Sequence, residues 1–326
     1  MREVEARIER WETAQPFVIA RGAKRDVEVV VVTVSDGPHR GRGEGTPIYY
    51  LGDSAAAARD AVLAVAGAVA AGADRSSLRA LLPAGAARNA LDSALWDLEA
   101  KQTGIPVWRR AGLSPPRPLV TAYTISLGDP AGMAAAAAAV AGRALLKLKL
   151  GGEGDIERVR AVRQAAPAAR LVADANESWA GLDIERLCAE LLPLGLELVE
   201  QPLPAGADAA LEHLRPAIPL CADESCHDRA SLDRVAGRYG FVNLKLDKSG
   251  GLTEALDLIA ESRARGLGLM TGCMLSTSLG IAPAFLAAAS GRYADLDGPL
   301  LLAADRPHGL CFSGSEVAPP EPALWG

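Results

Sequence analysis

The stretch LLKLKL at residues 145–150 is the first of a series of short apolar runs that end in a charged residue. The charged ends follow one another at intervals of 22 to 26 residues, and the last interval, of 50 residues, equals two units of 25. Each interval has room for one strand and one crossover helix, so the series predicts consecutive βα units. The later runs are LVAD at 171–174, LELVE at 196–200, IPLCAD at 218–223, FVNLKL at 241–246, the uncharged LGLM at 267–270 and YADL at 293–296.

Adding LVTAYTISL at 119–127 as the first strand gives eight parallel strands, a number that closes into a barrel. The carboxyl ends of the strands form the catalytic face of such a barrel, and six of the eight predicted ends carry a carboxylate or a lysine. A flavodoxin-like or Rossmann sheet is the alternative, but it needs a glycine fingerprint after its first strand, and none follows Leu127. The pattern therefore favours a barrel with a site at its mouth.

The first hundred residues are organised differently. Residues 1 to about 50 alternate in the manner of antiparallel strands, most clearly in VEVVVVTV at 27–34. Residues 54–102 change to helical periodicity, beginning with the alanine-rich segment 55–71. This order predicts an α+β unit, and GLSPPRP at 112–118, with three prolines, is the expected linker to the barrel.

Composition bounds the class of protein. The chain has 326 residues and a formal net charge of −6, without a basic run interleaved with aromatic residues, so no nucleic-acid partner is expected. The charged start MREVEARIERW predicts no signal peptide, and the apolar stretch at 132–146 is interrupted by Arg143 and too short to cross a membrane. Five cysteines without a CxxC pair indicate a reducing, cytoplasmic compartment.

Three carboxylates close neighbouring strands of the predicted ring. Asp174, Glu200 and Asp223 end the third, fourth and fifth strands, so their side chains can converge on one point. Carboxylate oxygens without histidine or cysteine suit Mg²⁺ rather than zinc. The alternative is that each acid caps the helix that follows it, as Asp223 before Glu224 could. The regular spacing of all three acids favours a Mg²⁺ site.

Two lysines end strands on opposite sides of the ring. Lys149 ends the second strand and Lys245 the sixth, so their ammonium groups are expected to face each other across the metal. A substrate carbon held between them can lose a proton to one lysine and regain one from the other on the opposite face, which inverts its configuration. A metal on the substrate carboxylate would stabilise the enediolate that forms when the α-proton leaves.

These lysines are expected to have lowered pKa values, because the ordinary pKa of about 10.4 is too high for a base at neutral pH. Lys147 lies two residues before Lys149 on the same side of the strand, and its charge is expected to help lower the pKa of Lys149 to about 7 to 8. Asp247 alternates with Lys245 and could orient it, whereas Lys248 is expected to point away from the substrate.

Asp295 and Asp297 end the last predicted strand. Residues i and i+2 of a strand share one face, so both carboxylates are expected to point into the mouth of the barrel. Two acids opposite a metal that takes a carboxylate suit a cationic amine. The substrate is therefore expected to have a carboxylate at one end and an ammonium at the other, and the alternative is a turn before Gly298-Pro299.

These residues resemble the muconate lactonizing subgroup of the enolase superfamily and, within it, the dipeptide epimerases. The KxK, DAN, EQP, ADES and NxKxxKxGG motifs are typical of the subgroup, and the DxD at 295–297 is typical of the dipeptide epimerases. The matching segments are PFVIARG at 16–22, LLPAGAARNALDSALWDLEA at 81–100, LKLKL at 146–150, DANESW at 174–179, EQPLPA at 200–205, CADESCH at 221–227, VNLKLDKSGGLTEAL at 242–256, GCMLSTS at 272–278 and ADLDGP at 294–299.

The resemblance implies an α/β fold, a modified TIM barrel of the (β/α)₇β type with an N-terminal α+β capping domain. The implied domains are the capping domain at 1–118, with a specificity loop near 16–25, and the catalytic barrel at 119–302. A C-terminal segment at 303–326 is expected to return to the capping domain.

The resemblance also assigns residues to the site. Asp295 and Asp297 would hold the α-ammonium of a dipeptide, and Cys273 and Leu275 would line the site through backbone groups. Arg21, with Arg25 as the competing candidate, would pair with a glutamate γ-carboxylate. The full set is Asp174, Glu200 and Asp223 for one Mg²⁺ per subunit, Lys149 and Lys245 for acid/base catalysis, and Thr124, Lys147, Cys273, Leu275, Asp295, Asp297 and Arg21 for substrate binding.

The implied activity is the conversion of L-Ala-D-Glu to L-Ala-L-Glu in murein peptide metabolism. The expected partner is a small-molecule dipeptide substrate, and the barrel fold is compatible with a homo-oligomer. Epimerisation of dipeptides with other side chains is one alternative. An N-acylamino acid racemase or o-succinylbenzoate synthase is another, and neither needs an ammonium pocket. A metal-binding protein without catalysis is disfavoured because both Lys149 and Lys245 are present.

Overall fold

The N-terminal part of the chain forms an antiparallel sheet covered by helices. The structure, a computed structural model, describes residues 2–326. Strands β1 (Glu3–Ile19), β2 (Gly22–Asp36) and β3 (His39–Gly45) pair in that order, and a two-residue turn joins β1 to β2. The helices that follow are α1 (Ala55–Ala64), α2 (Ala66–Ala70), α3 (Leu78–Leu81), α4 (Ala86–Thr103) and α5 (Val107–Arg110). We call β1–β3 with α1–α5 the cap.

The cap is held together by a close approach of β3 to α4. A side chain at Gly41, Gly43 or Gly45 would place its Cβ 2.1–2.2 Å from carbonyl oxygens of α4, so only glycine fits at these positions. Ser54 caps α1 by accepting a hydrogen bond from the Ala57 amide, as its residue type predicts. The predicted helix over 55–71 is interrupted at Val65, which has non-helical backbone angles.

Eight parallel strands form the barrel. Their order is β5, β6, β7, β8, β9, β10, β11, β12, and a bridge between Thr121 and Ala294 joins the last strand to the first, so the ring closes. The predicted barrel and its order of strands are confirmed. The strands are β5 (Tyr123–Ile125), β6 (Leu145–Lys149), β7 (Arg170–Asp174), β8 (Leu196–Glu200), β9 (Leu220–Ala222), β10 (Phe241–Leu244), β11 (Gly268–Thr271) and β12 (Tyr293–Ala294).

The predicted first strand over 119–127 is wrong in its extent. Its first two residues form a separate strand, β4 (Leu119–Val120), that pairs antiparallel with β14 (Glu316–Val317) outside the ring. β14 in turn pairs with β13 (Phe312–Ser313), so a small third sheet lies at this end of the barrel. The alternation of the sequence does not distinguish the two sheets, because both use extended backbone.

The barrel strands are connected by helices. The alanine-rich stretch near residue 132 lies in a helix of ten residues that begins at Pro130. Asp129 caps this helix by accepting a hydrogen bond from the Gly132 amide. Among residues 2–326, no helix combines the length and apolar character that a membrane crossing requires. The helices are α6 (Pro130–Ala139), α7 (Asp155–Ala165), α8 (Ile184–Leu191), α9 (Leu232–Val235), α10 (Leu246–Ser249), α11 (Leu252–Ala264), α12 (Ser278–Ala288) and α13 (Gly298–Leu301).

Asp247 fastens the cap to the barrel. Its Oδ1 accepts hydrogen bonds of 2.8 Å from the Thr46 amide and from Nδ2 of Asn89, both in the cap. The sequence predicts that Asp247 orients Lys245, but its side chain turns toward the cap because α10 begins immediately after Lys245. Burial raises the pKa of Asp247 to about 7.

Replacing Asp247 tests this attachment. Asp247→Ala leaves two buried donors without an acceptor and is expected to lower the free energy of unfolding by about 2–4 kcal/mol. Asp247→Asn keeps an oxygen at Oδ1, so its free energy of unfolding is expected to stay within about 1 kcal/mol of the parent. Urea denaturation followed by circular dichroism measures both values, and equal losses in the two variants would contradict the assignment.

Candidate active site

The inner face of the barrel consists of an apolar layer below a charged one. The apolar layer is a buried cluster of Ala122, Leu145, Val172, Leu198, Cys221, Met270 and Tyr293. Two residues further along each strand, the next inward positions carry Thr124, Lys147, Asp174, Glu200, Asp223, Gly272 and Asp295. Side chains alternate along a strand, so this offset of two places the polar groups in one layer at the carboxyl ends.

The three predicted acids converge in this layer. Asp174 and Glu200 are the last residues of β7 and β8, and Asp223 follows β9 directly. One oxygen of each carboxylate lies within 4.8 Å of the others, and all three side chains are buried. None of them is the cap residue of the helix that follows, so the capping alternative is wrong.

The crowding of these acids perturbs their protonation. Burial, and then the neighbouring Asp174, raise the pKa of Glu200 to about 8. Burial would also raise the pKa of Asp174, but Lys149 and Lys147 outweigh it and lower that pKa to about 2. Three buried carboxylates at this separation repel one another, and a divalent cation with oxygen ligands offsets that repulsion. The donor set therefore fits Mg²⁺.

Neighbouring polar groups orient the acids. Lys248 donates from Nζ to Oδ1 of Asp223 at 2.5 Å, and Nδ2 of Asn243 donates to Oε1 of Glu200 at 2.7 Å. Oε1 of Gln201 accepts from the Asp223 amide at 2.9 Å, which fixes the backbone of that ligand. Lys248 thus points away from the cavity, as the sequence predicts. Asn243 and Gln201 were not predicted, although both lie within the NxK and EQP motifs.

Lys149 and Lys245 extend from opposite sides of the ring. Nζ of Lys149 lies 2.7 Å from Oδ2 of Asp174, and Nζ of Lys245 lies 2.7 Å from Oδ2 of Asp223. β6 and β10 are four strands apart in the eight-stranded order, so the two ammonium groups flank the same space from two sides. Both lysines are buried and line one cavity at the mouth of the barrel.

The lysine charges are balanced differently from the sequence prediction. Nζ of Lys147 lies 2.6 Å from Oε2 of Glu200 and 2.8 Å from Oδ2 of Asp295, so carboxylates offset its charge. Burial would lower the pKa of Lys245, but Asp223 and then Glu200 raise it well above its usual value. The predicted lowering is therefore not seen at Lys245. The carboxylates that raise this pKa belong to the three acids that suit Mg²⁺. The lysine and a bound Mg²⁺ would therefore be attracted by the same negative charges.

The cavity has a volume of about 260 Å³ and is lined by all seven residues predicted to bind substrate. Oδ2 of Asp297 accepts a hydrogen bond of 2.6 Å from the Thr124 amide. Oδ1 of Asp295 is buried and has no hydrogen-bond partner among residues 2–326, so this acceptor is available to a donor on a ligand. Asp297 precedes α13 but makes no side-chain capping bond, which argues against a purely local turn role.

The cap supplies the outer wall of the cavity. Phe17, Ile19 and Lys24 extend from the β1–β2 hairpin, and Tyr49 and Tyr50 extend from the segment after β3. The three hairpin residues fall within the specificity loop that the resemblance implies near 16–25, whereas the two tyrosines were not predicted, because no periodic pattern marks them in the sequence. The loops that follow β7 and β11 also contribute residues to the lining.

The basic side chains of the hairpin differ in their contacts. Arg21 lines the cavity, but its guanidinium forms ion pairs with Glu177 and Glu224. Arg25, the competing candidate, is not among the lining residues. Lys24 lines the cavity with Nζ 3.7 Å from the ring centroid of Tyr49, and it makes no ion pair with residues 2–326.

Comparison with known proteins gives consistent matches over most of the chain. The family description "Mandelate racemase / muconate lactonizing enzyme, N-terminal domain" matches residues 1–112, and "Enolase C-terminal domain-like" matches residues 132–302. L-Ala-D/L-Glu epimerase of Escherichia coli is 45% identical, over 97% of this chain and 99% of its own length. N-acetyl-D-glutamate racemase of a Pseudoalteromonas species is 40% identical, over 91% of this chain and 95% of its own.

A solved structure agrees with the fold along the whole chain. An enolase family member from Agrobacterium tumefaciens with homology to dipeptide epimerases, crystallised with sodium and L-Ala-L-Glu, is 49% identical. The two structures superpose with a TM-score of 0.98, and the match covers 100% of each chain.

The metal assignment is tested with two variants of strand β8. Glu200→Gln removes one ligand charge and is expected to weaken Mg²⁺ binding by more than about 100-fold, because losing even an outer partner of a ligand costs about 10- to 100-fold. Glu197→Gln, which alters a half-buried carboxylate of β8 that pairs with Arg170 of β7, should leave the Mg²⁺ affinity unchanged. Isothermal titration calorimetry measures both, and an unchanged affinity in Glu200→Gln would count against the site.

Proposed function

The chain belongs to the mandelate racemase/muconate lactonizing enzyme family of the enolase superfamily, and from this membership and the site we propose that it is a dipeptide epimerase that interconverts L-Ala-D-Glu and L-Ala-L-Glu. The observation that carries the proposal is the placement of the buried pair Asp295 and Asp297 in a cavity that is also lined by two opposed lysines and by Asp223, one of the three converging acids. That arrangement offers one place for an ammonium and another for a carboxylate.

The two ends of the substrate are bound at different parts of the charged layer. The α-ammonium of the dipeptide donates to Oδ1 of Asp295, which lacks another partner, and to the carboxylate of Asp297, which Thr124 holds in place. Backbone groups of Cys273 and Leu275 flank the peptide on the strand β11 side of the cavity. The C-terminal carboxylate lies toward Asp174, Glu200 and Asp223. When Mg²⁺ is bound by these acids, it offsets the negative charge that develops on that carboxylate.

Lys149 and Lys245 perform the proton transfers. With the C-terminal α-carbon between them, one lysine removes the α-proton and the other donates a proton from the opposite side, which inverts the configuration. Microscopic reversibility requires that the roles exchange for the other epimer. Both ammonium groups are buried next to the cavity, so each is placed to give or take the proton directly.

Lys24 is the side chain that selects glutamate in this proposal. Arg21 already faces two carboxylates, whereas Lys24 lines the cavity without an anionic partner. Burial, and then the neighbouring Arg21, lower the pKa of Lys24, so an anion bound there is stabilised by two positive charges. A glutamate γ-carboxylate supplies such an anion, which replaces the sequence prediction for Arg21 and Arg25.

An N-acylated glutamate is the second candidate substrate. Lys147 forms an ion pair with Asp295 and offsets one of the two negative charges at the ammonium position, so a neutral acyl group meets less excess charge there. The rest of the site serves both substrates equally. We also propose a cytoplasmic setting, which the five unpaired cysteines support. The homo-oligomer stays a prediction.

Proton exchange in D₂O tests the reaction. With Mg²⁺, the parent protein should exchange the C-terminal α-proton of L-Ala-L-Glu faster than that of L-Ala-L-Phe, L-Ala-L-Lys or N-acetyl-L-glutamate, and EDTA should abolish the exchange. Lys149→Arg and Lys245→Arg keep the positive charge but lose the titratable amine, so each should lose inversion by about 10²- to 10⁴-fold. Proton NMR follows the loss of the α-proton signal and the appearance of the second epimer.

The two lysine variants control each other. Any exchange that remains in one variant should be confined to one epimer, and it should be the opposite epimer in the other variant. Inversion at the parental rate in either variant would contradict the two-lysine mechanism. Exchange confined to the N-acylated compound would contradict the roles of Asp295 and Asp297.

The role of Lys24 is tested with two substrates of equal length. Lys24→Gln should lower kcat/KM for L-Ala-L-Glu by about 10- to 100-fold, because a hydrogen bond to a charged group contributes about 1.5–3 kcal/mol. L-Ala-L-Gln has the same shape without the charge, so its kcat/KM should change less than threefold, within about 0.6 kcal/mol. Polarimetry of the epimerisation gives kcat/KM for both substrates. Equal losses for the two substrates would contradict a role of Lys24 in binding the side chain.

A further inference from the structure

We propose that Arg21 is a positioning residue that fastens the β1–β2 hairpin over the cavity and so sets the shape of its outer wall. Arg21 occupies the second position of the two-residue turn between β1 and β2, at the tip of the hairpin. The inference concerns the form of the site and rests on the proposed function only for the choice of substrates in its kinetic test.

The guanidinium of Arg21 binds two separate loops of the barrel. Nη1 lies 3.0 Å from Oε2 of Glu177, in the loop after β7, and Nη2 lies 2.5 Å from Oε1 of Glu224, in the loop after β9. Arg21 also contacts the cap segment that follows β3. Its Nε lies 3.4 Å from the Tyr49 hydroxyl, and its Cζ lies 5.0 Å from the ring centroid of Tyr50. One side chain therefore joins four segments around the mouth of the barrel.

The Glu177 carboxylate is also held by a group of the barrel. Oε1 of Glu177 accepts a hydrogen bond of 2.9 Å from the Ala205 amide. The backbone of Asn176 and Glu177 has φ angles of +43° and +68°, a left-handed conformation that costs free energy in residues other than glycine. The other oxygen of the same carboxylate, Oε2, is the one that Arg21 binds.

Glu224 depends on Arg21 more strongly. Its side chain is 3% exposed, and Arg21 is its only ion-pair partner among residues 2–326. Breaking a buried ion pair by removing one partner leaves an uncompensated charge and is strongly destabilising. The bond between Arg21 and Glu224 thus links the position of the hairpin to the burial of a carboxylate next to the metal site.

The hairpin is also held two residues before its turn. The Leu127 amide donates to the Val18 carbonyl at 2.9 Å, and the Val18 amide lies 3.3 Å from Oγ of Ser126. Beyond Val18, the residues that line the cavity include Ile19 and Lys24, on either side of the turn. Fixing the turn at Arg21 fixes both, so the wall that meets the substrate side chain keeps its place.

This role differs from direct recognition of the substrate. A γ-carboxylate at Arg21 would be the third carboxylate around one guanidinium, and two of them are already bound at 2.5 and 3.0 Å. Loss of a direct contact would affect only substrates with an acidic side chain. Loss of a fastening affects every substrate that touches the wall, and this difference separates the two roles by experiment.

Hydrogen exchange of the free protein tests the fastening without any substrate. In Arg21→Gln, the amides of residues 17–24 should exchange at least about tenfold faster than in the parent, because local opening of the hairpin becomes less costly. Arg10→Gln is the matched control, since Arg10 forms an exposed ion pair with Asp26 in the same hairpin and should leave exchange at 17–24 unchanged. Equal exchange in Arg21→Gln and the parent would overturn the proposal.

Kinetics with two dipeptides then tests the consequence for the site. Arg21→Gln should lower kcat/KM for L-Ala-L-Glu and L-Ala-L-Gln by the same factor, between about 10 and about 100, since small displacements in a binding site have effects of this size. A loss confined to L-Ala-L-Glu would overturn the proposal and restore Arg21 as a side-chain ligand. Should the protein turn over no dipeptide, the proposed function fails, and the exchange experiment still decides the role of Arg21.

Two further variants guard against a merely unfolded protein. Arg21→Lys retains a charge that reaches one glutamate, so it should fall between the parent and Arg21→Gln in both measurements. Glu177→Gln alters a partner that does not line the cavity, and it should reproduce part of the effect of Arg21→Gln. The double variant should be no worse than Arg21→Gln alone, and additive losses would show that Glu177 and Arg21 act independently.

Discussion

The mutual neutralisation of buried charges at the carboxyl ends of the barrel strands is the interaction on which the remainder of the structure depends. Acids and lysines lie close together there, and ions removed from water are tolerated only when each faces an opposite charge. Lys147, Lys149, Lys245 and Lys248 each lie within 2.8 Å of a carboxylate oxygen. The same pairing holds each functional group at a defined place.

The apolar layer beneath gives this charged layer its geometry. Leu145, Val172 and Leu198 fill the barrel interior, and the strand pleat then brings the residue two positions later to the same face. Where a bulky side chain would collide, the layer has none: a Cβ at Gly272 would lie 2.6 Å from Oδ1 of Asn243, the residue that orients Glu200. The site therefore follows from packing as much as from charge.

The sequence predicted what depends on periodicity and missed what depends on loops. Asp174, Glu200 and Lys149 end strands of regular spacing, so their convergence could be read from intervals alone. The partners of Lys147 and Asp247 could not be predicted in this way, because they are distant in sequence. Lys147 pairs with Asp295, and Asp247 accepts a hydrogen bond from Asn89. A strand pattern states which face a residue occupies, whereas an ion pair also requires the distance across the barrel.

The hairpin that lines the cavity ends in a two-residue turn between two strands, and one guanidinium in that turn binds two loops of the barrel. In the proposed function, the residues that meet the substrate side chain are therefore separate along the chain from those that move the proton. A few substitutions within 17–24 can therefore change which peptides are accepted while the residues that transfer the proton stay the same. Natural selection can act on the range of peptides accepted without rebuilding the catalyst.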